Sequence, residues 1–183
     1  MEETLRAYDD LVHQGKVRYV GCSNSPAWRL MQALWTSDAH NLVRYDCLQP
    51  HYNLVHRMEF ERELMDVCST YGLGVIPYSP LAGGFLSGKY HRDQTDVGSG
   101  RNVSSYFTER NWTIQDTMES LGRDLGGKPV SQVALAWMLA NPVITAPIIG
   151  PRSLDQVKDN LGAVEFKLPA EAIGKLNEIS KED

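Results

Sequence analysis

The sequence predicts an α/β fold of four parallel strands with flanking helices, arranged as half of a barrel. Four short apolar runs each end in a polar or tight-turn cluster. Val17–Gly21 leads to Ser23-Asn24, Tyr45–Leu48 to Gln49-Pro50, Leu73–Pro77 to Tyr78-Ser79-Pro80-Leu81, and Ala146–Ile149 to Gly150-Pro151-Arg152. Helical patterns lie between them. Strand ends recur at 24, 49 and 78, a spacing of under thirty residues that suits parallel strands joined by right-handed crossovers. The chain has 183 residues, whereas a complete (β/α)8 barrel takes about 250. Binding groups in such folds gather at the carboxyl ends of the strands, so the four clusters mark a ligand rim.

Taken in order, Thr4 to Gln14 places Leu5, Tyr8, Leu11 and Val12 at helical spacing, and Gly15 suits a left-handed C-cap. A second helix starts at Ser25-Pro26, with Ser25 as N-cap and Trp28, Met31, Leu34 and Trp35 as its apolar face. A third runs from about Met58 to Tyr71, with Phe60, Leu64, Val67 and Cys68 inward, and stops at Gly72. The cadence then breaks. Residues 79–112 form a long segment rich in Gly, Ser and Asp, longer than most connections and therefore expected to be functional or mobile. Helices follow at about Ile114–Leu125 and Pro129–Ala140, the second strongly apolar. Ser153-Leu154-Asp155-Gln156 is a capping box after the last strand. Pro169 opens a final helix to about Ile179. No repeat or linker divides residues 1–183, which read as a single partial domain.

Composition narrows the partners. Hydrophobic residues make up 42% and charged residues 22%, ordinary values for a soluble globular protein. The net charge of -5, from 18 Lys+Arg against 23 Asp+Glu, argues against nucleic acid or an anionic membrane, though not against a local basic pocket. No apolar run approaches the ~20 residues of a membrane span. The acidic, helix-like Met1-Glu2-Glu3-Thr4 is no secretory signal. Cys22, Cys47 and Cys68 are odd in number and lack a CxxC spacing, as expected for buried, reduced thiols in the cytoplasm.

Two motifs mislead when taken alone. Gly83-Gly84-Phe85-Leu86-Ser87-Gly88-Lys89 has phosphate-loop spacing after a predicted strand. The following Tyr90 lacks the hydroxyl that Mg²⁺ requires, and no apolar helix opens there. Contact of these glycines and Lys89 with a pyrophosphate remains open. His51, just beyond Gln49, is placed to face the rim, but a lone histidine there is seldom a ligand contact and no catalytic partner for it stands out. Asp66 and Tyr71 read as a solvated acid and a packed aromatic. Asn102-Val103-Ser104 and Asn111-Trp112-Thr113 are glycosylation sequons only in secreted chains. No His/Cys/Asp/Glu grouping has a metal spacing.

Gly15–Asn24, Gln49-Pro50-His51-Tyr52-Asn53, Val75–Leu81 and Ile148–Ser153, in this order and spacing, resemble the aldo/keto reductase family. The resemblance runs from Met1 to the end and implies the C-terminal half of a TIM (β/α)8 barrel. It implies that Ser23, Asn24 and Gln49 hold a nicotinamide carboxamide and that Tyr78 stacks on the ring. Ser79, Pro80, Leu81 and the loop through Gly83 and Lys89 would cover the pyrophosphate, with Arg101 closing over it. Ile149 and Gly150 would line the same rim, and Arg152, Gln156 and Asn160 would meet the adenosine and its 2′-phosphate. The residue chemistry agrees: amides and hydroxyls suit a carboxamide, an aromatic face a flat ring, and a guanidinium fork a phosphate. Turn or capping roles for Asn24 and Asn160, barrel packing for Tyr78, and ion pairing of Arg152 with Asp155 or Asp159 are the structural alternatives.

The family's catalytic Asp, Tyr, Lys and His sit on the first four strand ends, and no segment here matches their motifs. The resemblance therefore implies an NADP-binding half, with a carbonyl or alcohol substrate for the intact enzyme and no catalytic tetrad in this chain. It also leaves open a non-catalytic NADP-binding or interaction module. Exposed strand edges lead to the expectation of a homo-oligomer or of a missing N-terminal half.

Overall fold

The computed structural model describes residues 1–93 and 103–182. Helix α1 (Glu2–His13) packs against α2 (Ala27–His40) and feeds strand β1 (Gly21–Ser23). Strand β2 (Cys47–Gln49) follows, then α3 (Met58–Glu61), α4 (Leu64–Tyr71) and β3 (Gly74–Val75). The three strands form a parallel sheet in the order β1-β2-β3, with Gly21 opposite Cys47 and Leu48 opposite Val75. The second half is helical: α5 (Glu109–Asp124), α6 (Val130–Leu139), α7 (Leu154–Leu161) and α8 (Ala170–Ile179). Among the described residues no helix is long and apolar enough to cross a membrane.

The fourth predicted strand lies beside β3 but forms only a single parallel bridge, Tyr78 to Ile148. Its amides do reach β3 and the residues just after it: Thr145 N donates to Val75 O at 2.8 Å and Ile148 N to Pro77 O at 2.8 Å. Pro147 has no N–H, so the ladder cannot continue between them. The first strand is displaced as well. Asp46 satisfies Val20 from both sides, its amide donating to Val20 O at 2.7 Å and its Oδ2 accepting from Val20 N at 3.1 Å, and sheet pairing starts only at Gly21. A Cβ on Gly21 would lie 2.5 Å from Cys47 Sγ, so glycine permits the close approach of β1 to β2.

Three helix boundaries differ from expectation. Pro26, not Ser25, occupies the N-cap of α2. The expected Met58–Tyr71 helix is split into α3 and α4 where Glu63 leaves helical geometry at φ -143°. α5 begins five residues before Ile114 because Thr108 caps it, accepting from Asn111 N at 3.2 Å, which shortens the long connection. Tyr71 is exposed rather than packed. Gly72 ends α4 in the left-handed conformation, as expected (φ 68°).

The core runs from α2 through the sheet into α5, α6 and α8, centred on Leu30, Leu48, Phe60, Val75, Ile114, Met118, Met138 and Leu176. Two aromatic groups support the strand ends. Tyr52 packs on Phe60 and Trp137, with ring centres 5.0 and 5.5 Å away. Phe85, fully buried, packs on Trp112, Tyr106 and Phe107 and so pins the segment after β3 from beneath.

Candidate functional site

The carboxyl ends of β1, β2 and β3 bring five of the expected residues into one bonded cluster. Ser23 Oγ donates to Gln49 O at 2.8 Å, tying the end of β1 to that of β2. The Tyr78 hydroxyl donates to Asn24 Oδ1 at 3.1 Å across 54 residues of sequence. Asn53, fully buried, donates from Nδ2 to Ser79 O at 3.0 Å and accepts Val55 N on its Oδ1. Tyr78 itself is registered by its amide on Pro50 O at 3.0 Å and by bridges to His51 and Ile148.

The backbone here is strained. Of the four described non-glycine residues with positive φ, three lie on this rim: Asn24 (52°), Ser79 (55°) and Ala82 (48°). Such conformations gather at functional sites, where the surrounding structure over-determines them. Pro80 is buried and Leu81 half-buried, leading into the 3-10 turns of Ala82–Ser87. Gly83 (φ 68°) and Gly84 (φ 107°) are half-buried and take the left-handed turn that Phe85 and Leu86 anchor. A Cβ on Gly84 would stand 3.1 Å from Lys89 Cε and Nζ, so the lysine lies along the glycine backbone. Its ammonium also sits 4.7 Å above the Tyr90 ring. The Gly84 amide is itself engaged, donating to Leu81 O at 2.8 Å, so the lysine lies over a closed turn, and no phosphate-loop helix follows it among the described residues.

The third group lies past Ile148. Ile149 is half-buried and Gly150 exposed. Ser153 caps α7, accepting Gln156 N at 3.3 Å, while Gln156 Oε1 accepts Arg152 N at 2.7 Å. The capping box therefore closes one residue earlier than the standard pattern, and the Gln156 side chain is occupied in it. Arg152 is exposed and makes no ion pair among the described residues. Asp159 is engaged by Ser131 and Gln132 instead, which removes one of the structural alternatives for Arg152. Asn160 is buried. Arg101 lies outside the described residues.

His51, placed by the sequence at this rim with no partner, has ring partners there that the sequence did not indicate. His51 stacks on Tyr78 (ring centres 5.0 Å, 12° between planes) and on His56 (4.2 Å, 24°). His56 Nε2 in turn lies 2.9 Å from Glu59 Oε2. Burial, with the charge of His56 second, pushes the His51 imidazole below the usual histidine range, against a smaller opposing effect of Glu59. The available signal was the turn-forming Asn53 between the two histidines. Cys22, Cys47 and Cys68 are free thiols. Burial raises all three, Cys68 to about 12, so they favour the inert protonated form. Among the described residues no group of His, Cys, Asp and Glu could hold a metal ion. A cleft of about 710 Å³, bordered by Asn24, Pro26, His56 and Glu59, adjoins this rim without covering it.

Residues 1–181 match the family model described as the aldo/keto reductase family. The chain is 36% identical over 178 residues to the uncharacterized oxidoreductase YrpG of Bacillus subtilis (strain 168), covering 97% of this chain and 53% of that protein. It is 34% identical over 182 residues to versiconal hemiacetal acetate reductase of Aspergillus parasiticus, covering 97% and 52%. It is 31% identical over 189 residues to a protein of Oryza sativa subsp. japonica named "Probable voltage-gated potassium channel subunit beta", covering 98% and 57%. The chain thus spans about half the length of the curated relatives it matches. The family has a TIM-barrel type α/β fold and typically binds a nicotinamide cofactor, in keeping with the parallel sheet and the polar strand ends seen here. The match across almost the whole chain and the oxidoreductase relatives lead to one conclusion: the chain belongs to the aldo/keto reductase family.

Proposed function

We propose that this chain is the cofactor-holding C-terminal half of an NADP-dependent aldo/keto reductase, a single partial domain that lacks the catalytic Asp, Tyr, Lys and His. The observation that carries the reading is the rim cluster. Ser23, Asn24, Gln49 and Tyr78 stand at three adjacent strand ends, tied to one another and flanked by strained backbone. The residues present fit a nicotinamide dinucleotide. Ser23, Asn24 and Gln49 offer donors and acceptors for a carboxamide, and the Tyr78 ring offers a flat face. The Lys89 ammonium, lying along the Gly84 backbone, suits a pyrophosphate, and the unpaired Arg152 at a helix N-terminus suits a 2′-phosphate. When bound, the cofactor supplies hydride exchange with a carbonyl or alcohol carbon. This chain's residues bind and orient it, while proton transfer to the carbonyl oxygen falls to the other half. Free thiols suit a cytoplasmic setting.

The kinship with a protein named as a potassium channel subunit supports a second reading, a non-catalytic NADP-binding or interaction module. One experiment separates these. Homogeneous chain is titrated with NADPH and assayed against a panel of aldehydes and ketones, alone and after addition of a separately produced N-terminal half from a full-length relative. The expected result is NADPH binding without turnover alone, and turnover on recombination. Turnover by the chain alone in the ordinary range of about 1–10³ s⁻¹ would show that it carries its own proton donor. Binding with no turnover in any combination would favour the module. No binding in either form overturns the cofactor reading.

A further inference from the structure

We propose that His51 is a positioning residue that backs the Tyr78 ring and so sets the stacking platform for the nicotinamide; the inference rests on the cofactor reading above. His51 and Tyr78 are partners in a parallel bridge, which turns both side chains to the same side of the sheet. Their rings lie nearly parallel at 5.0 Å. The far edge of Tyr78 is held by Asn24 through the phenol hydroxyl. One face and one edge of this tyrosine are therefore fixed, and no other ring or cation stacks on it among the described residues.

His51 is itself held. The chain reverses at residues 53–56, where Asn53 N donates to His56 O at 3.1 Å and His56 N to Asn53 O at 3.0 Å. That turn lays His56 over His51 at 4.2 Å, and Glu59 engages the outer nitrogen of His56. Asn53 Nδ2 also lies 3.4 Å from His51 Nε2. The result is a column of three rings, His56–His51–Tyr78, at the ends of β2 and β3. A nicotinamide on the open face of Tyr78 would be its fourth member. A ring already fixed in orientation loses little freedom when a flat ligand stacks on it, and this is where preorganisation raises affinity. A histidine also differs from an aliphatic residue here, since its flat face keeps Tyr78 from tilting.

The test compares wild type, His51→Ala and His51→Phe, with Tyr78→Ala as reference, each checked for unchanged melting temperature. NADPH and 2′-phospho-ADP-ribose, which lacks the nicotinamide, are titrated into each. His51→Ala is expected to weaken NADPH about 2- to 10-fold and leave 2′-phospho-ADP-ribose unchanged, and His51→Phe to restore NADPH binding. Equal weakening of both ligands, no weakening of either, or no rescue by phenylalanine overturns the proposal and leaves the cofactor reading standing. Failure of wild type to bind either ligand overturns both. Should His51→Ala fail to fold, His51→Phe and His51→Leu, similar in bulk but differing in flatness, make the same comparison: equal NADPH affinity would refute the ring's role.

Discussion

On the proposed cofactor reading, Arg152 is the side chain expected to set cofactor choice. It follows the last strand-like run, stands exposed without a carboxylate partner among the described residues, and its own amide is closed by Gln156. A guanidinium left unpaired in a chain of net charge -5 is poised for an anion from outside the chain. A charge-assisted contact contributes about 1.5–3 kcal/mol. Arg152→Ala should therefore weaken NADP(H) by roughly 10–150-fold while leaving NAD(H) nearly unchanged. Parallel titrations of both cofactors check this, and equal losses would assign Arg152 to structure. Gly122 shows the opposite kind of residue, one fixed by packing alone: a Cβ there would collide with the backbone oxygen of Lys128. Its carbonyl meanwhile accepts the amides of Gly127 and Lys128.

Among the elements, α3 has only four residues and cannot hold itself. It is clamped to α8 through Arg57. The Arg57 guanidinium pairs with Glu61 by two bonds of 2.9 Å, donates to Asn177 O at 2.8 Å and to Ser180 Oγ at 2.6 Å, and lies 5.4 Å from the Trp137 ring centre. Glu182 completes the clamp by accepting the amides of Arg57 and Met58 at the start of α3. Arg57 and Glu61 side chains are only 12% and 25% exposed, so solvent screens this pair less than a surface one. Arg57→Ala should destabilise the chain by about 2–3 kcal/mol in urea unfolding, and Arg57→Lys should recover only part, because an ammonium cannot form the fork. A loss under about 0.5 kcal/mol for Arg57→Ala would show that the clamp is incidental.

For the whole molecule, the sheet leaves two sides uncovered among the described residues. There β1 pairs only with β2, and beyond β3 the ladder ends in a single bridge. Large apolar side chains are exposed near both: Tyr19 at 75% beside β1, and Ile148 at 41% with Leu154 at 67% after the last run. Unpaired edges flanked by exposed apolar groups invite pairing with another chain. The folded chain is therefore expected to be a dimer or larger assembly, or to be stabilised by a complementary N-terminal half. Sedimentation at micromolar concentration measures this; a well-folded, non-aggregating monomer would refute it.

The sequence by itself determined the alternation of strands and helices, the polar strand ends and the family, because these depend on local spacing and on motifs contiguous in the chain. Gly72 as a helix stop and Ser153 as a cap were legible for the same reason. Strand limits were not. Where pairing begins depends on which amides meet across the sheet: Asp46 takes Val20, and Val75 and Pro77 accept the amides on either side of Pro147, both contacts between distant segments. The site divides along the same line. That Ser23, Asn24, Gln49 and Tyr78 are polar or aromatic groups at strand ends is written in the chain. That Tyr78 reaches Asn24 and carries His51 and His56 behind it was decided by the parallel register and the turn at Asn53. Stacking needs planes aligned to within tens of degrees, and no one-dimensional pattern encodes that alignment.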